Sequence, residues 1–261
     1  MINSIIEIAV KAGEEIIKIY NSDYTVSYKE DQSPLTDADK ASNRIIVDEL
    51  KKVSDYPLIS EEEKEVLYET RKDYDTYWLI DPLDGTKEFV KRNGEFTVNI
   101  ALIKNGVPVM GVVYAPVIET LYFASEEVGA YKCENVNKDT SRNKILENAV
   151  KLVNPKIPVK TKLTIVASKS HLSPETQDFI DSMKQVYKEV ELISKGSSLK
   201  LCMVAEGSAN VYPRFAPTME WDTAAGHAVC RIAGYQVNEY PVGTPLKYNK
   251  ENLLNPWFIV M

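Results

Sequence analysis

Two carboxylates, Asp81 and Asp84, stand three residues apart around Pro82 in the stretch Trp78-Leu79-Ile80-Asp81-Pro82-Leu83-Asp84-Gly85-Thr86-Lys87-Glu88-Phe89. The apolar run before Asp81 reads as a buried strand. Proline, with no N–H to donate, is expected to stop the ladder there. Side chains at a strand end can converge on a small volume, and hard oxygens suit Mg²⁺, which is held by a few carboxylates plus substrate phosphate. The residues alone leave a second reading open: an Asp-Pro turn followed by a helix cap, both ordinary uses of Asp and Gly.

Three further carboxylates sit where one regular element gives way to another. Asp39 lies in Thr36-x-x-Asp39, which also reads as a capping box. Glu61 opens Glu61-Glu62-Glu63 after a short strand over Pro57 to Ser60. Such a run is also a solvated helix start, where acidic groups complement the dipole. Asp222 follows Trp221 at the start of a helix predicted over Thr223 to Ala233, with Gly234 as its left-handed stop. Five junction carboxylates suit a site in which two or more Mg²⁺ ions clamp the attacking and leaving oxygens of a displacement. Spacing along the chain does not bring them together; folding must.

The elements that have to do so are visible as patterns. Ile5, Ala9, Ala12, Ile16 and Ile19 recur at helical spacing over residues 4 to 20, with Asn3 or Ser4 as the cap. Ala38, Ala41, Ile45, Ile46 and Leu50 mark a second amphipathic helix. Phe96 to Lys104, Asn105-Gly106 and Val107 to Tyr114 spell a hairpin with a type I′ turn, and Leu121 to Ala124 a further strand. Residues 133 to 162 are polar, with room for a helix over Ile145 to Val153, and mark the best boundary. Beyond them strand and helix alternate. Strands are predicted over Leu163 to Ala167, Val190 to Ile193, Asn210 to Tyr212 and Trp257 to Val260, and helices from Ser173-Pro174 and over Leu199 to Glu206, closed by Gly207. The predicted organisation is α/β overall. Residues 1–140 form an α+β metal-binding part with an antiparallel sheet, and residues 141–261 an α/β part contributing substrate contacts and one metal ligand.

Composition bounds the function. A chain of 261 residues suits one compact unit or two intimately packed subdomains. A formal charge of −7 opposes nonspecific binding to nucleic acid or membrane surfaces. It leaves a small anionic substrate compatible, because a bound metal reverses the local field. Cys133, Cys202 and Cys230 are odd in number and widely spaced, which fits neither a disulfide framework nor a zinc site and points to a reducing cytoplasm. No run approaches membrane-spanning length, and the start lacks the basic region of a leader.

Taken in order, Ser33-Pro-Leu-Thr-Asp-Ala-Asp39, Leu58-Ile-Ser-Glu-Glu62, the stretch Trp78 to Phe89, and Glu220-Trp-Asp-Thr-Ala-Ala-Gly-His227 resemble the motifs of the inositol monophosphatase superfamily. The resemblance covers nearly the whole chain. Thr86-Lys87-Glu88-Phe89, Val166-Ala-Ser-Lys-Ser-His171, Gly196-Ser-Ser-Leu-Lys200 and Tyr212-Pro-Arg-Phe215 are similar to its 3′(2′),5′-bisphosphate nucleotidase branch of the bacterial CysQ type. The resemblance implies a layered αβαβα fold. It also implies a lithium-sensitive, Mg²⁺-dependent phosphatase that removes the 3′-phosphate of adenosine 3′,5′-bisphosphate to give AMP, with the 3′-phosphorylated sulfate donor left open as a second candidate substrate.

Carried onto this chain, the resemblance makes Glu61, Asp81, Asp84, Asp222 and the Leu83 carbonyl ligands of two Mg²⁺ ions, with a third, weaker position near Asp39. Thr86 and Glu61 would position and deprotonate the attacking water, and Asp39 would be a second proton acceptor. Gly85, Thr86, His171, Ser197, Lys200, Arg214 and Asp222 would contact the substrate. The helix opened by Ser197-Ser198 would present N–H groups to the second phosphate, and Lys200 and Arg214 would offset its charge. His227 reads as a packed residue, since carboxylates suit Mg²⁺ better than imidazole. The partner is a small nucleotide bisphosphate, and monomer and homodimer are both compatible. Inositol monophosphatase or fructose-1,6-bisphosphatase activity would use the same core. The non-enzyme reading is a metal- or nucleotide-sensing protein, against which the intact carboxylates and Thr86 count.

Overall fold

Two amphipathic helices open the chain of the computed structural model, which describes residues 1–28, 34–156, 161–167 and 173–261. α1 (Ile2–Tyr20) buries Ile5, Ile6, Ala9, Ala12 and Ile16 on one face, the stripe its period predicts. It begins earlier than expected: Met1 is the cap, its carbonyl accepts from the Ser4 N–H at 3.0 Å, and no side chain caps the end. A short antiparallel pair, β1 (Val26–Tyr28) and β2 (Pro34–Thr36), leads into α2 (Asp37–Val53). The capping box forms there. Thr36 Oγ1 accepts from the Ala38 N–H, and Asp39 Oδ2 accepts from the Thr36 N–H at 2.7 Å.

The central sheet has seven strands in spatial and chain order. β3 (Leu58–Ser60) is followed by α3 (Tyr68–Arg71), β4 (Thr76–Asp84), α4 (Thr86–Val90), β5 (Thr97–Lys104) and β6 (Val107–Ala115). β7 (Thr120–Ser125), β8 (Gly129–Cys133), α5 (Arg142–Asn148) and β9 (Val150–Leu152) complete it. Within this sheet, among the described residues, only β3 and β4 pair in parallel. Asn105 and Gly106 both have positive φ, 52° and 73°, as a type I′ turn demands. Two expectations are corrected. Residues 145–153 are not one helix, because α5 stops at Asn148 and the chain joins β8 as an edge strand. Pro82 does not end β4 either. The ladder pairs Asp81 with Asn99 and then, after a register shift, Asp84 with Thr97. A bulge absorbs the N–H that proline lacks.

In the second half β10 (Lys162–Ala167) pairs in parallel with β11 (Glu189–Ser194) across α6 (Pro174–Val186), which Ser173 caps and Pro174 opens. Then come α7 (Leu199–Ala205), β12 (Tyr212–Arg214), α8 (Glu220–Ala233), β13 (Val237–Glu239) and β14 (Phe258–Val260), with strand order β12-β14-β13. Alternation along β4 sends Trp78 and Ile80 to a core shared with α1 and α2, and Tyr77 and Leu79 to one shared with α7 and α8. A third cluster, with Leu163, Ile165, Ile180, Phe215 and Ile259, joins α6 to the small strands. The layers therefore run helix, sheet, helix, sheet, helix. Gly111 lets α8 lie directly on β6, since a Cβ there would strike the Ala225 carbonyl and come within 2.8 Å of the Ala228 Cβ. That close seat sets the height of Asp222 above the sheet. Among the described residues no helix is long and apolar enough to cross a membrane.

Candidate active site

Parallel pairing sets Ser60 opposite Ile80, so the next residues, Glu61 and Asp81, stand side by side where β3 ends and β4 continues. The Glu61 N–H donates to the Ile80 carbonyl at 3.2 Å. α8 delivers the third carboxylate from its first turn, where Asp222 Oδ2 accepts from the Met219 N–H at 2.9 Å. Glu61, Asp81 and Asp222 each place one carboxylate oxygen within 4.8 Å of the others. Burial first, then the charges of their neighbours, hold the Asp81 and Asp222 carboxyls well above the ordinary carboxylate range. Three hard-oxygen groups that repel one another unless protons or a cation sit among them fit a divalent cation.

Asp84 stands beside this trio rather than in it, across the bulge. Burial pushes its carboxyl up to about 6, opposed by the Lys200 ammonium and by the nearby Ser198 N–H. The bend between the two aspartates is pinned from both ends. Asp81 Oδ1 accepts from the Leu83 N–H at 3.0 Å, and Ser42 Oγ on α2 donates to the Pro82 carbonyl at 2.8 Å. Gly85 follows with φ 92°, a left-handed conformation that favours glycine. Thr86 Oγ1 then lies 3.2 Å from Asp39 Oδ1 and 3.4 Å from the Leu83 carbonyl. Asp39 is 2% exposed, and burial raises its carboxyl against the hydrogen bonds from Thr36 and Thr86. Asp39 thus does two jobs: its Oδ2 caps α2 while its Oδ1 faces Thr86.

A cleft of about 150 Å³ opens beside Asp84 and Asp222, lined also by Gly85, Glu88, Ser197, Lys200, Tyr212 and Arg214. Lys200 is only 6% exposed, and burial pushes its ammonium down to about 8. Its Nζ donates to the Ser197 carbonyl at 2.6 Å and lies 5.6 Å from the centre of the Tyr212 ring. Arg214 donates one terminal N–H to the Pro217 carbonyl at 2.8 Å, while its Nε and the Ser197 Oγ are buried without a partner. Buried polar atoms are rarely left so, and these two line a cleft with two cationic side chains. Just before α7 the Gly196 N–H donates to Glu95 Oε2 at 2.8 Å, which folds the loop back onto the segment that follows α4. His171 lies outside the described residues.

Thr97 and Asn99, beside the site, belong to none of the motifs. Ser198 Oγ sits 2.9 Å from Thr97 Oγ1 and 2.8 Å from Asn99 Oδ1, which ties α7 to β5. Their signal in the sequence is two polar residues at alternate positions of an otherwise apolar strand. His227, expected to be packed, is buried with its Nδ1 3.0 Å from the Tyr248 hydroxyl.

The whole chain has relatives. Residues 1–256 match the model of the inositol monophosphatase family. The 3′(2′),5′-bisphosphate nucleotidase CysQ of Salmonella typhimurium is 42% identical, covering 100% of this chain and 99% of that one. The protein of the same name from Escherichia coli K12 is 43% identical over the same shares. Among solved structures, CysQ from Bacteroides thetaiotaomicron, a bacterial member of the inositol monophosphatase family, superposes with a TM-score of 0.87 at 51% identity, over 98% of this chain and 95% of that one. The extragenic suppressor protein suhB from Bartonella henselae gives 0.74 at 25% identity, over 97% and 92%. A match of this length, on the same fold and with its carboxylates gathered at one place, makes the chain a member of the inositol monophosphatase family.

Proposed function

We propose that the chain is an Mg²⁺-dependent 3′(2′),5′-bisphosphate nucleotidase that converts adenosine 3′,5′-bisphosphate and water into AMP and phosphate. The observation that carries this is the gathering of Glu61, Asp81 and Asp222 beside a cleft furnished with Lys200 and Arg214. One half suits a phosphoryl group in reaction, the other a second phosphate held at a distance. The names of the full-length relatives support the same reading. Three free, buried cysteines agree with a reducing, cytoplasmic setting.

In this reading Glu61, Asp81, Asp84, Asp222 and the Leu83 carbonyl hold two Mg²⁺ ions, with a third, weaker position near Asp39. Bound there, the ions supply positive charge against the phosphate oxygens and make water a stronger acid. The chain's own contribution is placement, which phosphoryl transfer needs more than covalent help. Thr86 donates its hydroxyl proton to Asp39 Oδ1, so its lone pairs are left to accept from the attacking water. Glu61 and Asp39 are the carboxylates that can take the proton the water loses. Lys200 and Arg214 receive the 5′-phosphate, Lys as a point charge and Arg through its fork. Gly85, Ser197 and His171 complete the substrate contacts. Residues 1–140 thereby carry most of the metal site, and residues 141–261 bring Asp222 and the nucleotide side.

The test is phosphate release by the Mg²⁺-loaded protein from adenosine 3′,5′-bisphosphate, inositol 1-phosphate and fructose 1,6-bisphosphate. A preference for the nucleotide of about tenfold or more is expected, since a hydrogen bond to a charged group contributes about 1.5–3 kcal/mol. A preference for the inositol or sugar phosphate overturns the nucleotide reading.

A further inference from the structure

Behind the carboxylate trio lies a buried charged network that no step above uses. Glu220 is the first residue of α8, two before Asp222, and is fully buried. Its carboxylate gathers three donors from one loop: the Asn249 N–H at 2.7 Å, the Lys250 N–H at 3.0 Å and the Lys250 ammonium at 2.6 Å. Arg71, just past the Glu61 segment and only 1% exposed, grips the same loop from its other side. Its guanidinium donates to Asn249 Oδ1 at 2.9 Å and to the Lys250 and Glu251 carbonyls at 2.7 Å each. It also donates to the Val66 carbonyl at 3.2 Å, on the stretch of chain that leads away from Glu61. The 249–251 loop is therefore a strap with the Glu61 segment at one end and the start of α8 at the other.

We infer that Glu220, backed by Lys250 and Arg71, is a positioning residue that holds Asp222 at its distance from Glu61 and so sets the affinity of the cation site. The inference rests on the reading that these carboxylates hold Mg²⁺. Without a cation, Glu61 and Asp222 repel across less than 4.8 Å, which pushes the start of α8 away from the loop after β3. The seat of α8 on β6 fixes the body of the helix, and the strap opposes that separation at its first turn. Burying a carboxylate and a guanidinium is a costly way to hold a helix end if stability were all that mattered. What this arrangement adds is fixed geometry, as outer hydrogen-bond partners do for metal ligands generally.

The experiment titrates metal-free protein with Mg²⁺ in a calorimeter and, separately, measures phosphate release against Mg²⁺ concentration. Glu220→Gln keeps the shape and removes the charge. Its Kd for Mg²⁺ should rise about 10–100-fold, the usual cost of losing an outer-shell partner, with turnover recovering at saturating Mg²⁺. Leu163→Ala, in the separate core of α6 and β10, is the stability control: its melting temperature should fall with Mg²⁺ affinity unchanged. Should Glu220→Gln fail to fold, Lys250→Met decides, because the Lys250 side chain is 26% exposed and its loss leaves Glu220 its two backbone donors. It should weaken Mg²⁺ in the same direction. Asp222→Asn separates the two ideas. If it loses Mg²⁺ while Glu220→Gln and Lys250→Met bind it as wild type does, the positioning role is overturned and the metal reading stands. If Asp222→Asn itself binds Mg²⁺ normally, the metal reading falls and the positioning role falls with it.

Discussion

Replacing Asp81 with asparagine should stabilise the metal-free protein while abolishing its response to Mg²⁺. Asp81 is buried, and its carboxylate lies within 4.8 Å of those of Glu61 and Asp222. Two like charges about 4 Å apart repel by about 4 kcal/mol at an effective dielectric of about 20. The protein relieves part of that by holding protons, which is why the Asp81 and Asp222 carboxyls stand well above their ordinary range. Each unit of such a shift corresponds to about 1.4 kcal/mol. The relief from removing one charge is therefore less than the sum of two repulsions, about 2–4 kcal/mol near pH 7.5. For a chain of this size that is a rise of roughly 5–10 °C in melting temperature. Asparagine keeps the bend intact, since its carbonyl can still accept from the Leu83 N–H.

The assay is calorimetric melting of chelator-stripped protein, with and without Mg²⁺, across pH. The sign follows from linkage. A carboxyl whose folded pKa is raised contributes stability that is fully present below its unfolded pKa, about 4, and lost as pH rises through the folded value. The gap between the variant and metal-free wild type should thus be small near pH 4 and widen upward, past about 6, where Asp84 also ionises. Mg²⁺ at a hundred times its Kd should stabilise wild type by about 2.7 kcal/mol and leave Asp81→Asn unmoved. A metal-free Asp81→Asn that melts below wild type, or that Mg²⁺ stabilises as strongly, would refute the reasoning.

Thr86→Val keeps the shape of the side chain but removes the hydroxyl that faces Asp39. Turnover should fall about 10²–10⁴-fold, the usual worth of a positioned proton-transfer group, with Mg²⁺ affinity measured by calorimetry unchanged. Lys200→Met should raise KM for adenosine 3′,5′-bisphosphate about 10–100-fold with a smaller effect on kcat, as expected for one charge-assisted contact. In wild type KM should climb above about pH 8, where the buried ammonium loses its proton; a flat KM between pH 7 and 9.5 would contradict that. His227 is held neutral by burial, with its pKa lowered to about 3. Its contribution is present above pH 6.5 and lost as pH falls toward 3, by at most about 5 kcal/mol. His227→Gln should flatten acid unfolding over that window, as followed by circular dichroism.

Much of this molecule is local, and local features are visible in one dimension. The helical period of α1, the Thr36–Asp39 box, the Asn105-Gly106 turn, the Ser173-Pro174 start and the Gly234 stop each depend on residues within a few positions of one another. The same holds for the identity of the candidate ligands, which sit at junctions that the patterns delimit. What tertiary structure decided is whatever depends on a distant partner. Pro82 reads as a terminator until β5 stands beside it and the mismatch becomes a bulge that separates Asp84 from Asp81. β9 and β13 are too short to declare themselves and exist because a neighbouring strand accepts their hydrogen bonds. The Gly196 N–H looks free in the sequence and is occupied in the fold, because the loop before α7 folds against Glu95, 101 positions earlier. Arg71, Glu220 and the 249–251 loop are the extreme case: three distant stretches whose polar groups find one another only when the seven-stranded sheet and α8 have closed around them. The carboxylates were legible as types; the 4.8 Å that gives them their chemistry is set by a parallel strand pair and a helix seated on glycine.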